Sequence, residues 1–176
     1  MIRRAPVTAV LAVVIVIALL SGCSHIFERP FADVPADLIP VFQAAATSYG
    51  VLSAAQLAAQ ARVESSFDPS AVSHAGARGM MQFLPTTWEE FGIDGSGDGR
   101  ADPLDPRDAI VSAANYEAHL AEAVADLPGD RISLVLAAYN AGPDAVRVAG
   151  GIPDFDETRS YVARVHDWAA TYRDQL

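Results

Sequence analysis

"SAAQLAAQARVESSFDPSAVSHAGARGMMQFLPTTW" (Ser53–Trp88) carries three kinds of local signal in succession. Ser53 and Gln56 have the Ser-x-x-Gln spacing of a capping box. The Ala-rich run that follows predicts a helix over Ser53–Val63, with Glu64 on its last turn. Ser66 to Gly79 is rich in Ser, Pro and Gly and reads as loop, with room for a small β-hairpin but no strong strand pattern. Pro85 to Phe91 predicts a second, short helix. A charged carboxylate at Glu64, directly before two serines, a Phe and a Pro, has two readings. It is a solvated helix-end residue, or it is a carboxylic acid held for chemistry.

Outward from this stretch the pattern stays helical. Pro35 to Tyr49 is apolar-periodic and ends at Gly50, a good residue just past a helix. Asp105 as N-cap and Pro106 at the first helical position start a helix running to about Ala125. Asp130 caps another through Asn140. Pro143–Val148 is short, and Glu157 to the C-terminus is amphipathic. The expected architecture is mainly α: a single domain over residues 35–176, built of about seven short helices.

The first residues read differently. Arg3 and Arg4 precede an uncharged, apolar run from Ala5 to Leu20, which matches a secretory signal region and is short for a membrane span of about 20 residues. Leu20-Ser21-Gly22-Cys23 resembles a bacterial lipobox. The expectation is a signal peptide over 1–22, a lipidated Cys23, a tether through residue 34, and a mature protein exported and anchored in the cell envelope. An incidental thiol and an uncleaved span are the competing readings. Cys23 is the sole cysteine, so no intrachain disulfide forms.

Of 176 residues, 51% are apolar, 12 are basic and 22 acidic. Removing residues 1–22 takes Arg3 and Arg4 and leaves 10 basic against 22 acidic, a balance of −12. An acidic chain with no basic stripe argues against nucleic acid as partner. Such a chain does nothing to attract anionic polymers, so any carbohydrate substrate must be gripped by local contacts. His25, His74, His119 and His166 show no metal-ligand spacing, and no Gly-rich phosphate loop is present.

Four stretches occur in order: "ESSF" (Glu64–Phe67), "GARGMMQFLPTTW" (Gly76–Trp88), "AAYNAG" (Ala137–Gly142) and "ETRSYV" (Glu157–Val162). Each alone has a plain reading as a helix end, a buried turn or a capped helix start. Together they resemble the lysozyme-like lytic transglycosylases of the soluble-transglycosylase type, relatives of goose-type lysozymes. Pro69, Ala71 and Ser73 match the family's loop after the "ES" motif. Gly76-Ala77-Arg78-Gly79, Met81-Gln82 and Pro85-Thr86 match the next block, and the resemblance spans about Ser53 to Val165. Phe83 and Leu84 stand where the family often has other aliphatics.

The resemblance implies a lysozyme-like fold and cleavage of peptidoglycan glycan strands, with Glu64 as acid and then base. It implies that Ser73, Met81, Gln82 and Asn140 line a sugar groove. Tyr139 and Tyr161 are expected close to Glu64, and Glu157 is expected to orient them from a helix start. It implies no required cofactor and no second catalytic carboxylate, although Asp68 is the nearest candidate for one. Trp88 is expected in the core. The chemistry demands a protonated acid near neutral pH, whereas an ordinary Glu titrates near about 4.3. Burial against apolar groups supplies the difference. A hydrolase on the same fold and a non-catalytic peptidoglycan-binding lipoprotein are the rival readings.

"DGSGDGRADPLD" (Asp94–Asp105) has the ligand spacing of a calcium loop. Asp94, Ser96 and Asp98 fall at positions 1, 3 and 5, Gly99 at 6, Arg100 at 7, Asp102 at 9 and Asp105 at 12. Asp in place of Glu at position 12, and the short helix before it, weigh against the match. The expectation is a structural calcium site; the alternative is a Gly/Asp-rich surface turn.

Overall fold

A computed structural model describes residues 33–176. The expected signal segment 1–22 and Cys23 lie outside the described residues. Seven helices are found among them: α1 (Ile39–Tyr49), α2 (Ala54–Ser65), α3 (Pro85–Phe91), α4 (Pro106–Ala123), α5 (Arg131–Ala141), α6 (Pro143–Ala149) and α7 (Asp156–Tyr172). None is long and apolar enough to cross a membrane.

Local chemistry sets most of the boundaries. The Ser53 hydroxyl accepts from the Gln56 N–H at 3.3 Å, and the Gln56 side chain accepts from the Ser53 N–H at 2.8 Å. This satisfies two of the free donors at the start of α2. Asp105 and Asp130 cap α4 and α5 by accepting from Arg107 N–H and Ser133 N–H, both at 2.8 Å. The start of α1 departs from expectation. Residues 36–38 form a turn, and the helix begins at Ile39 with Pro40 in its first turn. Pro40 has no N–H to bond back to residue 36 and is tolerated only in a first turn, so the helix cannot extend back to Pro35. The tether boundary also shifts: Val34 is buried, and its N–H donates to Gln175 Oε1 at 3.0 Å.

The apolar stripes pack into one core. α2 lies mainly against α7 and α1 against α4, while α5 touches α4, α6 and α7. α2 presents Leu57 with Ala58, Ala59 and Ala61, all fully buried, so its backbone comes close to its neighbours. Its Arg62 covers the Trp168 ring of α7 at 4.9 Å. Phe42, Leu57, Met80, Met81, Ile110, Leu120 and Leu136 fill the centre. Each large apolar side chain buried there contributes about 1.5–3 kcal/mol.

The segment between α2 and α3 crosses this core without forming a regular hairpin. Two isolated bridges, Val72 with Arg78 and Arg78 with Phe83, replace the small β-hairpin that the sequence allowed. A turn at Ser73–Gly76 and the left-handed backbone of Gly79 (φ 75°) bend the chain before pairing can spread. A Cβ on Gly79 would run into the Pro103 carbonyl, so this position admits only glycine.

Candidate active site

Glu64 sits at the C-terminal end of α2, where regular backbone stops. Ser66 (φ 59°) and Phe67 (φ 66°) both adopt left-handed conformations that cost a side-chain-bearing residue free energy. Ser66 closes α2, its N–H bonding back to Arg62 O. Ser65, the serine directly after Glu64, donates to Met80 O at 2.8 Å and ties the Gly-Met-Met-Gln loop to the helix end. The carboxylate is thereby held where α2, α7, α5 and that loop converge.

A cleft of about 470 Å³ opens there. It is lined by Glu64, Ser73, Gln82, Tyr139, Asn140 and Glu157, so six of the eight residues expected at the site meet on one surface. Phe83, Leu84, Thr87 and Tyr116 extend its apolar wall, and Gly142 joins the rim between α5 and α6. A depression of about 420 Å³ beside Gln43, Thr47 and Leu52 holds no acidic or aromatic side chain.

Tyr161 stands behind the cleft rather than in it. It is 2% exposed, and its hydroxyl donates to Glu64 Oε1 at 2.7 Å. Burial raises Glu64 from an ordinary 4.5 to about 7. The Tyr161 bond and the Arg164 charge oppose that rise, and the Glu157 charge adds to it. Desolvation of a carboxylate outweighs one phenolic donor, so the group holds a proton near neutral pH. Tyr139 does not bond Glu64. Its hydroxyl donates to Met81 O at 2.8 Å, and burial, with the nearby Glu64 charge, keeps the phenol protonated.

One expected groove residue has another position. Met81 is fully buried and supplies only its backbone carbonyl, the acceptor for Tyr139. The reason is the left-handed Gln82 (φ 50°): the bend turns Gln82 to the cleft and Met81 into the core. Gln82 in turn donates to Gly79 O at 2.8 Å and Ala71 O at 3.3 Å, bracing the loop. Ser73 accepts from Ala77 N–H at 3.1 Å. Asp68 is not among the cleft-lining residues, and its carboxylate accepts from the Ser70 N–H and hydroxyl at 2.8 and 2.7 Å. Trp88 packs edge-on against Phe83 at 5.1 Å.

The calcium expectation needs correction. Among the described residues no group of three or more His, Cys, Asp or Glu side chains is arranged to hold a metal ion. Asp94 accepts from the backbone N–H of Gly97, Asp98 and Gly99 and from the Ser96 hydroxyl. Asp98 accepts from Arg100 N–H, Asp102 pairs with the Arg100 guanidinium, and Asp105 caps α4. Buried Asp108 pins the loop by accepting from Ser96 N–H at 2.7 Å and Asp102 N–H at 2.9 Å. The carboxylates that the spacing assigned to calcium bond the loop's own donors.

Three further residues escaped the sequence reading. Glu117 lies in the apolar stripe of α4 and is fully buried, as is Gln60 one turn before Glu64. Burial pushes the Glu117 carboxyl well up; Gln60 beside it opposes this, and the Glu64 charge adds to it. Thr158, also buried, donates to Asn140 Oδ1 at 2.8 Å. No periodic pattern marks these positions, because each replaces an apolar residue on an otherwise regular stripe.

Residues 40–162 match the family described as the transglycosylase SLT domain. The membrane-bound lytic murein transglycosylase F 1 of Alkalilimnicola ehrlichii is 38% identical over 143 residues, covering 74% of this chain and 27% of that protein. The soluble lytic murein transglycosylase of Escherichia coli is 35% identical over 132 residues, 64% of this chain and 19% of its own length. In solved structures, the 70 kDa soluble lytic transglycosylase of Escherichia coli superposes with a TM-score of 0.61 at 29% identity, covering 80% of this chain and 24% of that one. An inactive variant of the lytic transglycosylase Slt of Pseudomonas aeruginosa gives 0.63 at 31%, with 81% and 25% covered. The chain thus spans about a quarter or less of the length of these proteins. Its fold is the mainly α, lysozyme-like fold of those neighbours, and the chain belongs to the transglycosylase SLT domain family.

Proposed function

We propose that the chain is a murein lytic transglycosylase that cleaves the β-1,4 bond between MurNAc and GlcNAc and leaves a 1,6-anhydroMurNAc end. The observation that carries this reading is the Glu64 carboxyl: on the cleft, bonded by Tyr161, and raised to about 7. A group titrating there is protonated often enough to act as an acid and ionised often enough to act as a base.

The protonated carboxyl gives its proton to the glycosidic oxygen as the C1–O bond breaks. The resulting carboxylate then takes the proton of the C6 hydroxyl while O6 closes onto C1. Glu64 ends protonated, no water is consumed, and the two products together have the atoms of the substrate. The substrate's N-acetyl group supports C1 between the two steps. Asp68, bonded to Ser70 and not among the cleft-lining residues, offers no nucleophile, and Glu157 is an exposed carboxylate that acts on Glu64 through charge. Ser73, Gln82, Asn140 and Glu157 would contact the glycan, with the apolar wall excluding water from the closing step. An N-terminal lipid on Cys23 would place the enzyme in the cell envelope, facing the wall.

Mass analysis of murein digested by the full-length chain, with Glu64→Gln alongside, tests the reading. Muropeptides lighter by one water at the muramic end are expected from the wild type and none from the variant, which still binds murein. Reducing ends instead would make it a lysozyme-type hydrolase. Binding without any product would make it a binding lipoprotein.

A further inference from the structure

Asn140 is the cleft residue whose chemistry depends on orientation. Its amide has one acceptor oxygen and a two-hydrogen donor, and a half-turn about the last side-chain bond exchanges them. The side chain lies on the cleft wall together with Glu64 and Glu157. Presented as an acceptor, it would add a third oxygen to a surface already lined by two carboxyl groups. Presented as a donor, it complements them.

The structure holds the amide in one of these states, with Thr158 as the residue bonded to it. Thr158 stands in the first turn of α7, one residue after Glu157, and is 2% exposed. Its hydroxyl donates to Asn140 Oδ1 at 2.8 Å across the α5–α7 contact. With Oδ1 turned back toward α7, Nδ2 points the other way. Nδ2 is not among the buried polar atoms left without a partner, and Asn140 lines the cleft. A buried hydroxyl that lost this bond would stay unsatisfied, which holds the pair together.

We propose that Thr158 is a positioning residue that locks the Asn140 amide with its N–H₂ facing the cleft, so that this subsite takes an acceptor oxygen of the glycan, an acetamido carbonyl or a sugar hydroxyl oxygen. The proposal rests on the murein-cleavage reading for its substrate, and the test separates the two.

The test compares Thr158→Val, Thr158→Ser and Asn140→Asp in the full-length chain. Steady-state cleavage of murein is measured in the active background, and murein co-sedimentation in the Glu64→Gln background. Thr158→Val keeps the shape and removes the latch. Binding and kcat/KM fall about tenfold, mostly through KM, the scale of one hydrogen bond. Thr158→Ser keeps the hydroxyl and stays within about twofold of wild type. Asn140→Asp keeps the Thr158 bond but replaces Nδ2 by an oxygen. It loses at least as much as Thr158→Val, and the double variant is no worse than Asn140→Asp alone. Wild-type binding in Thr158→Val or in Asn140→Asp overturns the proposal. So does an equal loss in Thr158→Ser, which would make the role one of packing. If murein is bound with this pattern but never cleaved, the catalytic reading fails and the latch stands. A wild type that neither binds nor cleaves murein removes both.

Discussion

Glu64 and Asp94 both looked like functional carboxylates, one at a helix end and one in a loop spaced for calcium, and their surroundings have opposite effects. Glu64 has one side-chain donor, Tyr161, and a wall that removes water, so its proton is held up to about 7. Asp94 is solvated and accepts from three backbone N–H groups and a hydroxyl, which together hold its carboxyl below the usual range. An acid becomes a proton donor where burial outweighs the donors around it, and a structural staple where the donors win.

The largest expected break in this comparison is loss of the acid itself: Glu64→Gln should lower murein cleavage at least about a thousandfold with the fold intact. The loop should respond in stability instead. Asp108→Ala leaves the part-buried N–H groups of Ser96 and Asp102 without an acceptor, and a loss of about 1–2 kcal/mol is expected in urea unfolding. A loss below about 0.5 kcal/mol would mean that the loop is held by something else.

Tyr161→Phe sharpens the comparison from the other side. The phenolic bond opposes the rise at Glu64, so its removal should move the alkaline limb of the activity profile to higher pH and lower kcat about tenfold. A limb that moves down would reverse the assigned sign.

Stability against pH follows from the same groups. A carboxyl raised in the folded state, as at Glu64 and Glu117, contributes stability that is complete below its ordinary 4.5. For Glu64 that contribution is lost as pH rises through about 7. Lowered groups such as Asp94 and Asp130 act oppositely, losing theirs as pH falls below their ordinary 3.8. The midpoint of thermal unfolding should therefore rise from pH 8 to about pH 5 and fall below that. Glu64→Gln should flatten the upper part by about 1–2 kcal/mol, less than the full conversion because the cleft is open to water. A midpoint that falls steadily from pH 8 would contradict the buried-acid assignment.

The smallest effect belongs to metal removal. EDTA should leave the melting midpoint and activity unchanged, because the loop's donors already satisfy Asp94, Asp98 and Asp102. A fall of several degrees, reversed by calcium, would restore the metal site.

What could be read in the chain was local. Ser53 with Gln56, Asp105 with Pro106 and Asp130 with Ser133 act within three residues of one another, so their helix starts needed no knowledge of the rest. That Glu64, Gln82, Asn140 and Glu157 share one surface was legible because four motifs in order carried a family resemblance. The start of α1 was misread where Pro40 outweighed the apolar period, and the hairpin dissolved because the Gly79 bend stops pairing.

Tertiary structure alone decided the rest. Whether Met81 or Gln82 faced the cleft depended on a single left-handed residue. That Asp94 bonds its own backbone depended on where the loop's N–H groups pointed. Glu117 and Thr158 sit on apolar stripes whose periodicity hides them. The proton on Glu64 depends on Tyr161, 97 positions away, and on water excluded by packing. Caps are contacts between near neighbours in the chain and are written in it directly. Desolvation and long-range hydrogen bonds belong to surfaces that exist only once the helices have packed.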